Sequence, residues 1–151
     1  MWTKRLRTIL RLNATTSVVG GLIAAIGASW VSDTLGIDHV AITRLIGIGL
    51  VLFAVDVWYI STRPHPKLVA ETLLISAADA IWVAATIVIL ALGILTTVGT
   101  VTAIVLGIGV GDFALTQLWL RAKVKAEGGP GAVEPQTHAD PGRLAPRAAR
   151  S

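Results

Sequence analysis

The chain lacks cysteine and is poor in charged, aromatic and histidine residues. Of its 151 residues none is cysteine, three are histidine, 5% are aromatic and 15% are charged. An average soluble domain is about 25% charged, so too few polar side chains remain to cover a soluble globule of this length. The absence of cysteine excludes structural disulfides, thiolate catalysis and cysteine-ligated zinc or iron–sulfur centres. These shortages argue against a soluble enzyme and against a disordered chain.

The scarce histidines also limit the chemistry. His39 and His65 fall on opposite sides of the predicted membrane and His138 falls near the C-terminus, so no pair can hold a haem or a zinc ion. Ser17 and Ser76 have no histidine at their depth, which leaves a serine triad without its base. We therefore predict no metal, no cofactor and no catalytic residue.

The sequence does contain long apolar segments. It is 54% hydrophobic, with a mean hydropathy of +0.73, and a helix that crosses a bilayer needs about 20 mostly apolar residues. Four proline-free segments meet this requirement, at about residues 8–31, 40–60, 68–92 and 97–120. Pro64 and Pro66 predict a stiff turn between the second and the third. The prediction is an all-α, four-helix transmembrane bundle over residues 1–125, followed by a disordered cytoplasmic tail over residues 126–151.

The positive charges predict the orientation of the bundle. Lys and Arg cluster before the first segment, around Arg63 and Lys67, and after the fourth segment, and Arg44 is the exception inside the second segment. The positive-inside rule then places both termini in the cytoplasm. The net charge of +4 thus reflects the topology of a protein of the cell membrane. We expect this protein to contact the lipid bilayer and to bind no nucleic acid.

An internal repeat occurs at a spacing of 60 residues. Residues 47–50 (Gly-Ile-Gly-Leu) match residues 107–110 (Gly-Ile-Gly-Val), Phe-Ala at 53–54 matches Phe-Ala at 113–114, and residues 22–25 match residues 82–85. Each copy contains two helices, so both copies have the same orientation. The pattern predicts two similar helical hairpins related by a pseudo-two-fold axis along the membrane normal, although apolar helices also resemble one another by chance.

Four acidic residues lie inside the predicted helices, where a charged group is costly and indicates function by default. Glu71 is close enough to the interface to reach it, which leaves Asp56, Asp79 and Asp112. Helical spacing places them on stripes that, turned inward, predict a polar pocket open to the cytoplasm. The candidate residues for ligand or proton binding are Asp56, Asp79, Asp112, Asn13, Ser17 and Trp82.

Structural roles are open for the same residues. Asp56 can form an ion pair with Arg63 or Arg11. Asp79 and Asp112 can be neutral acids that hydrogen-bond to Ser17, to Thr116 or to each other. Trp82 can be a packing residue, and Gln117 is expected only at the interface.

Small residues at helical spacing indicate close helix contacts. They do not distinguish contacts within the bundle from contacts in a homodimer or with another membrane protein. The glycines predicted to pack helices are Gly20, Gly47, Gly49, Gly107 and Gly111.

Five short motifs are spread along the four predicted helices, namely Leu10-Arg11-Leu12-Asn13-Ala14, Arg44-x-x-Gly47-x-Gly49-Leu50-x-Leu52-Phe53-Ala54, Arg63-Pro64, Asp79-x-x-Trp82-Val83 and Phe113-Ala114-x-x-Gln117. In these motifs the chain resembles a group of small bacterial four-helix integral membrane proteins that are generally uncharacterised. It is also distantly similar in size and helix count to DoxX-like membrane proteins. The resemblance covers about residues 8–125 and implies the topology, with no activity for any residue.

Three classes of function fit these features. The first is a non-catalytic accessory, interaction or lipid-binding protein. The second is a proton-linked carrier of a small solute that uses Asp79 and Asp112. The third is a membrane enzyme that acts on a lipid or isoprenoid with an Asp as general acid.

Overall fold

The computed structural model describes residues 1–127, and these fold as five helices joined by short turns. The helices are α1 (Trp2–Ile26), α2 (Ala28–Leu35), α3 (Val40–Thr62), α4 (His65–Leu92) and α5 (Thr97–Glu127). All except α2 are long and apolar enough to cross a membrane. The all-α prediction is confirmed for these residues, and the tail predicted at 126–151 lies almost wholly outside them.

The first predicted segment is two helices rather than one. It begins earlier than expected, at Trp2, and it is interrupted at Gly27, whose N–H donates to the carbonyl of Ile23 (2.9 Å). Glycine is a poor residue for a helix interior because it has the most backbone freedom to lose. The second helix ends at Gly36, which has a left-handed conformation with φ of 81°, a conformation that glycine adopts without a steric cost.

The turn between α3 and α4 follows from its prolines. Arg63 is extended, with φ of −64° and ψ of 153°, because the proline that follows it disfavours the helical region. Pro66 then lies in the first turn of α4, where its missing N–H costs no hydrogen bond. The stiff turn expected here is confirmed.

The helices pack as two hairpins side by side. The most extensive contacts join α1 to α3 and α4 to α5, followed by those of α1 with α5, whereas α3 meets α4 over a smaller area. The two ends of the bundle are distinguished by the helix ends and loops that they contain. We call the end with the start of α1, the α3–α4 turn and the last turns of α5 the basic end, and the end with α2 and the α4–α5 loop the far end.

A close contact between helix backbones joins α1 and α3 at Gly21 and Gly47. A Cβ built on Gly21 would lie 2.8 Å from the carbonyl oxygen of Gly47, and one built on Gly47 would lie 2.7 Å from the carbonyl carbon of Ala24. Backbone thus rests on backbone, which only residues without a side chain allow.

The other glycines predicted at helix contacts have different surroundings. Gly107 and Gly111 make ordinary contacts with Thr86 (3.4 Å) and Val83 (3.8 Å) on α4. A Cβ added at Gly20 or Gly49 would meet nothing within 4 Å, so neither lies at a helix contact within residues 1–127. The reason is helical phase, because one residue turns a helix by about 100° and Gly21 therefore takes the packed position that Gly20 was expected to take.

The apolar core lies towards the basic end. Leu6, Leu10, Val57, Leu68 and Val124 are fully buried there. At the far end the fully buried residues are small or polar ones such as Ala28 and Ser32, and large apolar side chains point outward on every spanning helix, as they do in proteins surrounded by lipid.

Hydrogen bonds join the two hairpins at the far end. The backbone N–H of Thr96, in the α4–α5 loop, donates to the carbonyl of Leu35 (3.0 Å), and its hydroxyl donates to the carbonyl of Thr34 (2.6 Å). The end of α2 and the α4–α5 loop are therefore in direct contact.

Candidate functional site

Asp79 is the centre of a buried polar cluster. Its side chain is 4% exposed, and those of Asn13 and Gln117 are 2% and 0% exposed. The side-chain nitrogen Nδ2 of Asn13 donates to Oδ2 of Asp79 (2.8 Å), and Nε2 of Gln117 donates to the same oxygen (3.2 Å). Two amide dipoles thus converge on one carboxylate oxygen, which is the arrangement that offsets the cost of burying it.

Two serines extend the cluster from either side. The hydroxyl of Ser17 donates to Oδ1 of Asn13 (3.2 Å), and the hydroxyl of Ser76 donates to Oε1 of Gln117 (3.3 Å). Each amide therefore accepts from a serine and donates to Asp79. The five side chains form a continuous network, which we call the Asp79 network.

Helical spacing accounts for the geometry of the Asp79 network. Asn13 and Ser17 are four residues apart on α1, and Ser76 and Asp79 are three apart on α4, so each pair shares a face. Gln117 comes from α5, whose buried stripe contains Ala114, Gln117 and Leu120. The network thus ties three helices together in the middle of the bundle.

The structure does not bring the other two candidate acids into this network. Asp56 on α3 and Asp112 on α5 are exposed on the outer surface of the bundle. The two ion pairs within residues 1–127 join Met1 to Glu127 and Arg63 to Glu71, so the pairing suggested for Asp56 with Arg63 or Arg11 is not seen.

Arg11 has other partners. Its Nε donates to the hydroxyl of Ser61 (3.5 Å), and its guanidinium carbon lies 5.7 Å above the ring of Trp58.

The predicted hydrogen bonds of Asp79 with Ser17, Thr116 or Asp112 are replaced by those with Asn13 and Gln117. Trp82 lies one turn from Asp79 on α4 and is half-buried.

Sequence reasoning missed Gln117 and Ser76 as members of the network. Gln117 was assigned to the interface because it lies near the end of the apolar segment. A usable signal was its spacing of three residues from both Ala114 and Leu120, which defines one helix face. Asp112, Thr116 and Trp119 form an equally regular polar stripe on the same helix, so spacing alone does not show which of the two faces turns inward.

Two shallow pockets lie on the surface of the described residues, and the Asp79 network does not line either of them. One pocket, of about 390 Å³, lies between α1 and α5 towards the basic end and is lined by Lys4, Arg5, Thr8, Ile9, Thr116 and Leu120. The other, of about 380 Å³, lies beside α2 and includes Asp33 and Asp38. Asp79 lines neither of them.

The two ends of the bundle differ strongly in charge. Within residues 1–127 the far end contributes Asp33, Asp38 and, just inside α3, Arg44. The basic end contains the remaining cations of that part of the chain, namely Lys4, Arg5, Arg7, Arg11, Arg63, Lys67, Arg121, Lys123 and Lys125. In the same residues no group of three or more metal-ligating side chains is placed to hold a metal ion.

Two arginines at the basic end bond to backbone. A terminal nitrogen of Arg7 donates to the carbonyl of Arg63 (2.8 Å), and Nε of Arg121 donates to the carbonyl of Val69 (2.7 Å). These bonds fasten the α3–α4 turn and the start of α4 to α1 and α5.

Comparison with known proteins finds no match among protein-family models, curated proteins or solved structures.

Proposed function

We propose that the chain is a multi-pass protein of the cell membrane with both ends of the four-helix domain, residues 1–125, in the cytoplasm. The separation of charge between the two ends of the bundle supports this orientation, because short loops rich in Lys and Arg stay on the cytoplasmic side. The α3–α4 turn, which contains Arg63 and Lys67, is then cytoplasmic, and α2 faces the other side.

The proposed architecture is a repeat of two hairpins, α1–α3 and α4–α5. Two features support it. The contact of Ala24 with Gly47 has a counterpart in that of Thr86 with Gly107. The buried positions of α3 also recur in α5 at the spacing of 60, as Ala54, Val57 and Ile60 against Ala114, Gln117 and Leu120.

The first helices of the two hairpins correspond with a slightly different spacing. Buried positions of α1 recur in α4 after 62 residues, as Leu6, Leu10, Asn13 and Ala14 against Leu68, Thr72, Ile75 and Ser76. By this alignment Asp79 is the counterpart of Ser17, and Gln117 is the counterpart of Val57. Three of the five members of the Asp79 network, namely Asn13, Ser76 and Gln117, therefore have an apolar counterpart in the other copy.

For its function, we propose a non-catalytic protein that binds another membrane protein through the outer face of α5. The observation that carries this proposal is the exposure of Asp112, which lies along α5 about 22 Å from Thr97 and about 13 Å from Arg121. Its neighbours Ile108 and Leu115 are 69% and 70% exposed. A carboxyl group on a lipid-facing surface at this depth is costly, and a partner that covers it removes the cost.

The chemistry of the partner follows from that of Asp112. The described part of this chain places its cations towards the two ends, and a second copy related by a two-fold axis would bring two Asp112 carboxyl groups together. A membrane helix that offers a cation or a hydrogen-bond donor at this depth complements the acid better. A Cβ at Gly109, one turn from Asp112, would meet nothing within 4 Å, so a partner helix has room to approach.

The carrier and enzyme alternatives receive less support from this geometry. A carrier that uses Asp79 and Asp112 needs both acids on one path, but one is buried among three helices and the other is on the outer surface. An enzyme that uses Asp79 as its general acid needs a substrate cavity at this residue, and Asp79 lines neither of the two pockets described above. The resemblance to small four-helix bacterial membrane proteins supports the topology and assigns no activity.

Photo-crosslinking in the native membrane tests the proposed face. A benzophenone side chain at Leu115 is expected to crosslink one defined membrane protein. The same group at Ile81, which is also 70% exposed but lies on α4, is the matched control. A crosslink from Leu115 only to a second copy of the chain would replace the proposal with a homodimer, and crosslinks only to lipid would refute it.

A further inference from the structure

The pocket between α1 and α5 combines an apolar wall with a charged rim. Ile9 and Leu120 supply apolar lining, Thr8 and Thr116 line it further, and Lys4 and Arg5 lie at the end nearest the N-terminus. Along α1 the helix rises about 7.5 Å from Lys4 to Ile9. The groove therefore runs from the charged end of the bundle into the depth of the spanning helices.

Aromatic side chains border the same groove. Trp2 on α1 and Trp119 on α5 meet edge to face, with ring centroids 5.3 Å apart and planes at 86°. The guanidinium carbon of Arg5 lies 5.0 Å from the centroid of Trp2, and Nζ of Lys123 lies 5.7 Å from that of Trp119. Tryptophan prefers the level of lipid head groups, so this pair marks where the head groups meet the α1–α5 seam.

The charges at this rim are predominantly positive. Lys4, Arg5 and Lys123 are all exposed. On the adjoining last turn of α5, the carboxylate of Glu127 lies 3.6 Å from the amino group of Met1, so this acid is already balanced. A ligand that complements the rim is an anion.

We infer that the groove between α1 and α5 binds one anionic phospholipid, with its phosphate at Lys4 and Arg5 and an acyl chain along Ile9, Thr116 and Leu120. Basic pockets between spanning helices on the cytoplasmic side bind anionic head groups in this way. The volume of about 390 Å³ falls in the range of ligand pockets, about 300–1,000 Å³. The site adjoins the protein-binding face proposed around Asp112, because Thr116 lies one helical turn from that residue on α5, but it requires no partner.

Native mass spectrometry of the full-length protein in detergent tests this inference. The protein is incubated with equal amounts of phosphatidylglycerol and phosphatidylcholine that have identical acyl chains. One phosphatidylglycerol is expected to be retained per chain in preference to phosphatidylcholine. The double variant K4Q/R5Q is expected to weaken that retention on the order of ten- to thirty-fold, as follows from the loss of two interfacial cations.

A matched control separates the groove from the general charge of the basic end. The double variant K67Q/K125Q removes two exposed cations from the same end, but neither residue lines the groove. It is expected to retain the lipid as the unmodified protein does. Equal loss in both double variants would overturn the groove and leave only non-specific attraction between the basic end and anionic lipid.

A third variant tests the acyl-chain part of the groove. T116F fills the apolar wall without a change in charge and is expected to release the bound lipid, while circular dichroism shows the helix content unchanged. Retention in T116F, or displacement of the lipid from the unmodified protein by an equal concentration of glycerol phosphate, would overturn the phospholipid assignment. The latter result would mean that the phosphate alone is recognised.

Discussion

The side-chain amide nitrogen of Asn13 lies 2.8 Å from Oδ2 of Asp79. This hydrogen bond links α1 to α4, which belong to different hairpins. Gln117 reaches the same oxygen from α5. A single carboxylate oxygen thus joins both hairpins at the middle of the bundle, which makes Asp79 first of all a determinant of how the hairpins pack.

The variants N13A and D79A are expected to destabilise the bundle by about 1–2 kcal/mol each. Each leaves a buried polar group without one of its partners. In a double-mutant cycle the two effects should be less than additive, because both remove the same contact. Reversible unfolding in mixed micelles measures the three variants, and strict additivity would show that the contact contributes nothing to stability.

Adjacent glycines on α1 are expected to give opposite effects. Gly21→Ala places a Cβ 2.8 Å from the carbonyl oxygen of Gly47, so it should destabilise the bundle by about 1–3 kcal/mol. Gly20→Ala adds a methyl group in open space and should stabilise it by up to about 1 kcal/mol through helix propensity. Thermal unfolding of the two variants compares them, and equal effects would contradict the α1–α3 contact.

Substitution of single residues by cysteine tests the proposed orientation, since the chain has no cysteine of its own. In intact cells a membrane-impermeant maleimide is expected to label Asp38→Cys, beside α2, and to leave Lys67→Cys unlabelled. Permeabilisation should then expose Lys67→Cys. The reverse pattern would place both termini of the four-helix domain outside the cytoplasm.

The variant D112L is expected to separate binding from folding. The side chain is exposed and takes no part in the hydrogen bonds of the bundle, so stability should change by no more than about 0.5 kcal/mol, whereas the crosslink from Leu115 should be lost. D112N keeps a polar group at the same place and should retain part of the crosslink. Unfolding of D112L to the extent seen with D79A would show a structural role instead.

The sequence predicted the spanning helices and the proline turn because length, hydropathy and proline act locally. It did not predict which face of each helix turns inward. Spanning helices are apolar on every face. The sequence therefore does not show whether the stripe that contains Asp112 or the stripe that contains Gln117 faces the interior of the bundle. The interruption at Gly27 was missed for a similar reason, since a single glycine inside an apolar run is common in membrane helices.

The structure brings together three of the proposed site residues, namely Asn13, Ser17 and Asp79. Asn13 and Ser17 were predictable because they share one helix face at a spacing of four residues, and Asp79 was predictable because it is an acid inside an apolar segment. Gly20 and Gly21 show the limit of such reasoning. A shift of one residue moves a side chain by about 100° around the helix, and the sequence alone contains no reference point that fixes the phase.

The uneven distribution of the core has a consequence for how the molecule opens. Large buried side chains such as Leu10 and Val57 hold the helices together at the basic end, while at the far end the hairpins are joined by the two hydrogen bonds of Thr96 and by the contact of Gly99 with the backbone of Leu35. Segments with few buried apolar contacts separate at the lowest free-energy cost. The two hairpins are therefore expected to part first at the far end, and the Asp79 network is expected to separate later than the loops there.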